Sequence, residues 1–261
     1  MYIEEIVIEE DISIVEEILL IDSLNVPSKQ ILVPDNTAEI FIPVSGNLSF
    51  KALGSARSIL MREGIGYFLM PRRRGTEITI AKDSEYLLVK INPMYAYGIS
   101  RGLKEIFNGV FELGLNQSTL QAINRASRMQ SIHQMEEILI KCFASKNSFF
   151  DHNITILESI GKIRNSYGTI SVKEIYSSLN VSKSKLEQHF NREIGLTPKE
   201  YCKIEKINHF IRTYRDSCDQ SLTEITYLCG YYDQSHLIKD FKYFLDTSPK
   251  RFFMQKGSLF R

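Results

Sequence analysis

The first 132 residues of this 261-residue chain contain no histidine. That absence argues against metal-dependent catalysis there, because such sites are built from clustered His and Glu ligands. His133, His152, His189, His209 and His236 are scattered over predicted helices or their edges, and none is spaced to serve a nucleophile. Cysteine is sparse too. Cys142, Cys202, Cys218 and Cys229 show no CxxC pairing and three fall in predicted helices, so reduced packing thiols are expected rather than a zinc site or a disulfide framework. The chain therefore reads as a non-enzyme that calls for no cofactor. No uninterrupted apolar run approaches the roughly 20 residues of a membrane span. The opening carries Glu4, Glu5, Glu9, Glu10 and Asp11, opposite in charge to a signal peptide, so a cytoplasmic location with no membrane partner is expected.

Strong charge of one sign is also missing, since the formal net charge is only +1, yet the total hides a split. From Asn153 onward there are 17 Lys and Arg against 12 Asp and Glu, leaving 15 against 19 in residues 1–152. The basic half suits a polyanion, with binding that weakens as salt rises.

What the chain does contain is one pattern written twice. EIYSSLNVSKSKLEQHF runs from Glu174 to Phe190, and EITYLCGYYDQSHLIKDF from Glu224 to Phe241. Glu174 and Ile175 match Glu224 and Ile225 at an offset of 50 residues, whereas Leu186, Phe190, Pro198 and Tyr201 match Leu237, Phe241, Pro249 and Phe252 at 51, so one residue is inserted in the turn. Each copy reads as two short helices around a tight turn. In the first, Asn180 suits a left-handed position and Ser182 caps the next helix; in the second, Gly230 stops the helix and Asp233 caps the following one. At about 100° per residue, Leu186 and Phe190 face a core and leave Ser184, Lys185, Gln188, Asn191 and Arg192 outside. Leu237, Phe241 and Phe244 likewise leave Ser235, His236, Lys239 and Lys242 outside. Such donors suit base edges and phosphates. A single solvated helix would show the same residue types for no reason beyond solubility; two copies of a helix-turn-helix point to double-stranded DNA.

Between the copies, Pro198 opens a predicted helix on which Tyr201, Ile204, Ile207, Phe210 and Ile211 recur at three- and four-residue steps up to about Tyr214. A rod of about 25 Å could hold two readers apart on one face of DNA, where successive major grooves lie roughly 34 Å from each other.

Residues from about 155 to 255 resemble the DNA-binding domain of the AraC/XylS family of bacterial transcription regulators. The match is most specific over GYYDQSHLIKDFKYFLDTSPKRFF, Gly230 to Phe253, and continues in the first copy through Val181, Ser182, Leu186, Phe190, Gly195, Pro198 and Tyr201. The resemblance implies base-contacting places at Ser184, Lys185, Glu187 and Gln188 in the first recognition helix and at Gln234, Ser235, His236, Ile238 and Lys239 in the second. Glu187 could accept from a cytosine amino group and Gln188 suits adenine. Two positions depart from the family pattern, Lys206 at a usual arginine and Phe210 at a usual alanine, and both concern packing.

The first half reads as strands followed by helices. Runs at 14–21, 30–34, 38–44, 58–62, 65–70, 76–81 and 85–91 are rich in Ile, Val, Leu, Phe and Tyr and are punctuated by Pro27, Pro34, Asp35, Asn36, Gly46, Gly54, Gly64, Pro71 and Gly75. Segments 99–109, 117–128 and 131–145 look helical, the last with an apolar stripe of Ile132, Met135, Leu139, Cys142 and Phe143 that serves a core or a dimer contact. The fold class expected is α+β: a small antiparallel β barrel or sandwich with helices over residues 1–150, and an all-α region over 153–261 with two helix-turn-helix units on a linker helix. PDNTAEIFIPVSG at 34–46, YFLMP at 67–71 and LLVKINP at 87–93 loosely resemble the uncharacterised barrel attached to many AraC-type regulators, which implies a sensory or dimerising role.

Two features of that barrel could bind something. Arg72, Arg73 and Arg74 form its one conspicuous charge cluster; an anionic effector or an acidic surface of RNA polymerase would suit them, although a solvated hairpin loop is the plainer expectation. Tyr67, Tyr86, Tyr95 and Tyr97 could line a pocket, although aromatic residues in strands are usually core. The function expected is sequence-specific transcription regulation through two adjacent major-groove contacts, with recruitment or exclusion of RNA polymerase, activation among the outcomes, and control by a small-molecule effector or by homodimerisation. The alternative is a regulator whose N-terminal domain is only a ligand-independent scaffold.

Overall fold

The computed structural model describes residues 13–24, 28–143, 153–217 and 221–254, with the backbone of 258–259. The acidic opening, Pro27, residues 144–145 of the third expected helix, His152 and Cys218 lie outside these residues.

The N-terminal region is a two-sheet barrel. Its strands are β1 (Val15–Asp22), β2 (Lys29–Leu32), β3 (Ala38–Ser45), β4 (Leu48–Ala52), β5 (Ile59–Met61), β6 (Gly66–Leu69), β7 (Thr76–Ile80) and β8 (Glu85–Ile91). They are followed by a short helix α1 (Ala96–Ser100), the hairpin β9 (Glu105–Phe107) and β10 (Val110–Leu113), and helices α2 (Gln117–Arg128) and α3 (Ile132–Phe143). One sheet has the order β1-β8-β3-β6-β10-β9, and the other β2-β7-β4-β5 with β11 (Ser258–Leu259) added in parallel to β2. All other pairings are antiparallel.

Alternation in the six-stranded sheet makes two cores. Phe41, Leu69 and Leu88 point into the barrel and meet Phe50, Ile78 and Ile80 of the other sheet. Their neighbours Ile40, Ile42, Phe68, Leu87 and Val89 point outward into a second core shared with the helices and the C-terminal region. A sheet covered on both faces explains why β3, β6 and β8 read as near-continuous apolar runs. Tyr67, Tyr86 and Tyr95 are core residues, and Met135, Leu139 and Phe143 carry the α3 stripe into the second core.

The segment 99–109 is corrected from helix to a helical end plus a hairpin. Asn108 and Gly109 both adopt left-handed conformations, with φ of 48° and 79°, which a helix interior does not allow. Pairing of β10 with β6 sets Phe111 opposite Phe68, with ring centroids 6.3 Å apart. Strand β4, whose Leu48 and Phe50 are buried in alternation, also lay outside the expected runs.

The C-terminal region comprises α4 (Ile154–Asn165), α5 (Val172–Ser178), α6 (Lys183–Glu193), α7 (Pro198–Asp216), α8 (Leu222–Leu228), α9 (Gln234–Leu245) and α10 (Pro249–Met254). Contacts tie it to the barrel: Asn36 Nδ2 donates to the Tyr201 carbonyl at 3.0 Å, Asn208 Nδ2 to the Pro34 carbonyl at 2.7 Å, and Arg164 pairs with Glu16 at 2.7 Å.

Candidate nucleic-acid interface

Each helix-turn-helix is built by local chemistry. Ser171 and Ser221 begin α5 and α8 with reciprocal capping boxes to Glu174 and Glu224. Those serine hydrogen bonds favour the ionised carboxylates and lower both pKa values. Asn180 and Gly230 then turn the chain at φ of 51° and 73°, and the next amides, of Val181 and Tyr231, close back on the carbonyls of Tyr176 and Thr226. Ser182 and Asp233 cap α6 and α9. The inserted residue of the second unit is accounted for by Tyr232, which precedes the cap and is 85% exposed. In the sequence only the change of offset from 50 to 51 points to it.

Inside, Ile175, Leu186 and Phe190 of the first unit and Ile225, Leu237 and Phe241 of the second are fully buried. Outside, α6 exposes Ser184, Lys185, Gln188, Asn191 and Arg192, and α9 exposes Ser235, His236, Lys239 and Lys242. Glu187, Gln234 and Ile238 are half-buried. Some of these side chains are engaged. Asn191 Nδ2 returns to the Glu187 carbonyl at 2.9 Å, Gln234 Nε2 donates to Thr223 Oγ1 at 2.6 Å, and Arg192 sits on Glu193 at the flank of α6.

Helix α7 docks on both units. Tyr201 packs edge-on against Phe190 at 5.9 Å, while Lys203 pairs with the buried Asp240 of α9 at 2.7 Å. Lys206 donates to the Gly230 carbonyl at 2.6 Å and lies 4.4 Å over the Tyr231 ring. Phe210 fills the second unit between Phe241 and Tyr231, at 5.7 and 6.2 Å. The two departures from the family pattern thus secure the linker to the second unit. At 19 residues, α7 is about 28 Å long.

A helix-turn-helix domain profile matches residues 176–255. These residues form an AraC/XylS-type helix-turn-helix domain. The chain is similar to the xylose operon regulatory protein of Escherichia coli K12, 30% identical over 98 residues that cover 37% of this chain and 25% of that protein. The transcriptional activator RhaS of Pectobacterium carotovorum is 23% identical over 149 residues, 57% of this chain and 52% of that protein. The chain thus spans about a quarter to a half of the length of these relatives. Over 93% of this chain and 100% of that one, the fold is similar to that of ToxT from Vibrio cholerae, at a TM-score of 0.59 and 12% identity. Another ToxT structure, with an unsaturated fatty acid bound, aligns at a TM-score of 0.55 and 13% identity over 92% and 96% of the two chains.

A second candidate site lies between the barrel and the AraC/XylS-type domain. A cavity of about 500 Å³ is walled by apolar Phe50, Ile59, Leu69 and Val110 and by Arg57 and Arg72–Arg74, with no acidic residue among its described lining. Tyr67, Tyr86, Tyr95 and Tyr97 are not among its described lining residues. The expectation of a solvated hairpin for the arginines is corrected here. Arg72 turns inward to Glu39 at 2.6 Å, Arg73 reaches the Gly195 carbonyl at 3.2 Å, and Arg74 the Tyr243 carbonyl at 2.8 Å. The buried Glu39 carboxylate draws Arg72 out of water, whereas Arg73 stays exposed while reaching its carbonyl. Burial pushes the Glu39 carboxyl up to about 7 despite the opposing pull of Arg72. Among the described residues no group of three His, Cys, Asp or Glu could hold a metal, and no helix is long and apolar enough to cross a membrane.

Proposed function

We propose that the chain is a sequence-specific transcription regulator that reads two adjacent major-groove segments of double-stranded DNA, one with α6 and one with α9. The observation that carries this reading is the pair of recognition helices with buried apolar faces and exposed donors, docked on one continuous linker helix. Ser184, Lys185, Glu187, Gln188, Asn191 and Arg192 are assigned to the first contact, and Gln234, Ser235, His236, Ile238, Lys239 and Lys242 to the second. Gln188 can bind an adenine edge bidentately, and Lys185, Lys239 and Lys242 can meet guanine or phosphate. Residues 153–261 would be the DNA-reading domain and residues 1–150 the sensory or dimerising one, with RNA polymerase as the protein partner. Selection of duplexes from a random pool by the full chain tests the reading. Two short enriched motifs about one helical turn apart support it; enrichment of nothing at low salt removes it.

The cavity favours control by an effector over a ligand-free scaffold. Its apolar walls and acid-free ring of arginines suit a small amphipathic anion such as a carboxylic acid, the class of ligand that one ToxT structure contains. A thermal-shift series with unsaturated fatty acids of increasing length addresses this directly. A concentration-dependent rise in Tm supports a binding site in the folded state. No rise with any length assigns the barrel to assembly alone.

A further inference from the structure

The arginine loop touches more than the cavity, and its contacts fall at the C-terminal ends of both recognition helices. Arg73 donates to the carbonyl of Gly195, just beyond α6, and lies 3.6 Å from Glu200 in the first turn of α7. Arg74 Nε donates to the carbonyl of Tyr243 at 2.8 Å, and the Gly75 amide to that of Phe244 at 2.7 Å, both in the last turn of α9. The last carbonyls of α9 have no partner within it and carry its negative dipole end, so a cationic donor is the group they take best, while the Gly195 carbonyl lies just past the cap of α6.

The local sequence makes room for this contact. A Cβ on Gly75 would stand 3.2 Å from both the Phe244 carbonyl and a Leu245 methyl. A Cβ on Gly54, which has φ of +80°, would come within 2.7 Å of the Arg74 guanidinium. The base of the loop is tied down at two points: Arg72 pairs with the buried Glu39, and the Leu53 amide donates to the Gly75 carbonyl at 2.8 Å.

We infer that the Pro71–Gly75 loop is a strap that fixes the spacing of the two helix-turn-helix units, with Arg73 and Arg74 as positioning residues for DNA reading. The inference rests on the two-groove reading given above. Two bodies joined by one helix can still twist and bend about its axis. A second connection off that axis, from the end of α6 through the barrel loop to the end of α9, closes a ring and removes that freedom. Because the same loop walls the cavity, an occupant there would bear on the strap.

The test uses the full chain and its selected bipartite duplex, with both motifs kept and the separation between them lengthened or shortened by one or two base pairs. The native protein is expected to lose about tenfold in affinity at each altered spacing. Arg73→Gln/Arg74→Gln should bind single-motif duplexes like the native protein, yet lose only about threefold across the same spacing series. Arg73→Lys/Arg74→Lys, which keeps a cationic donor for each carbonyl, should restore most of the discrimination. A folded glutamine variant with the native spacing profile overturns the strap and leaves the two-groove reading intact. A native protein indifferent to spacing overturns both. Melting curves establish folding, and if the double variant does not fold, each single glutamine variant carries the same comparison.

Discussion

Replacing Phe210 with alanine gives the linker helix the residue that the family pattern usually has there, and the structure expects this to be costly. The Phe210 side chain is fully buried. Its ring stacks with Tyr214 at 6.0 Å, meets Phe241 and Tyr231 edge-on at 5.7 and 6.2 Å, and tilts against Phe253 at 6.4 Å. Truncating a buried phenylalanine removes its transfer free energy and leaves a cavity, together about 3 to 5 kcal/mol. The lost aromatic pairs place Phe210 toward the upper end of that range, since each adds about 0.5 to 1.5 kcal/mol beyond area. For a chain of this size the loss corresponds to a fall in Tm of roughly 10 °C. The chain has no tryptophan, so the assay is far-ultraviolet circular dichroism during thermal and urea unfolding. Lys239→Ala serves as the exposed comparison and should unfold like the native protein. A Phe210→Ala loss below about 1 kcal/mol would refute the reasoning, because the four rings would then have closed over the alanine without a cavity.

Lys203→Met leaves Asp240 buried without its cation and should destabilise by roughly 3 kcal/mol, with much of the loss recovered when Asp240 is also made Leu, as measured by urea unfolding. Glu39 has a folded pKa of about 7 against an ordinary 4.5, because burial disfavours its charged form, so the folded state binds its proton more tightly than the unfolded state does. Its contribution to stability therefore grows as pH falls from about 7 toward 4.5 and is flat below; Glu39→Gln should abolish that part of the Tm-against-pH curve. Asp35 shifts the other way: burial would raise its pKa, but Lys90 and Arg72 outweigh that and lower it, so its contribution is lost only in stronger acid. Finally, Gln188→Ala with Lys239→Ala should cost a few kcal/mol on the selected duplex with no change in Tm, and removal of Lys239, if it meets phosphate, should reduce the salt slope by about one.

The helix-turn-helix units were legible because their determinants are local. Caps at Ser182 and Asp233, left-handed turns at Asn180 and Gly230, and apolar positions one helical face apart all act within a few residues. The repeat then supplied what one copy lacks. The hairpin at 105–113 was missed because Ile99, Leu103 and Ile106 also satisfy helical spacing, although Asn108-Gly109 is a strong hairpin signal and would have corrected the assignment. An anionic effector could be suggested for the arginine loop from its charge, but its contacts with the C-terminal region could not be read. Its partners stand 122 and 169 residues away, and neither composition nor periodicity links positions so far apart. Glu39 is an intermediate case, since one acid within the apolar strand AEIFIPVS implies a buried partner without naming Arg72.

The central claim, that α6 and α9 each read their own groove, is tested most directly by hydroxyl-radical footprinting of the full chain on its selected duplex. Two protected windows about one helical turn apart on the same face are expected, with Gln188→Ala weakening one and Lys239→Ala the other. A single window, or two windows that both variants weaken equally, would contradict it.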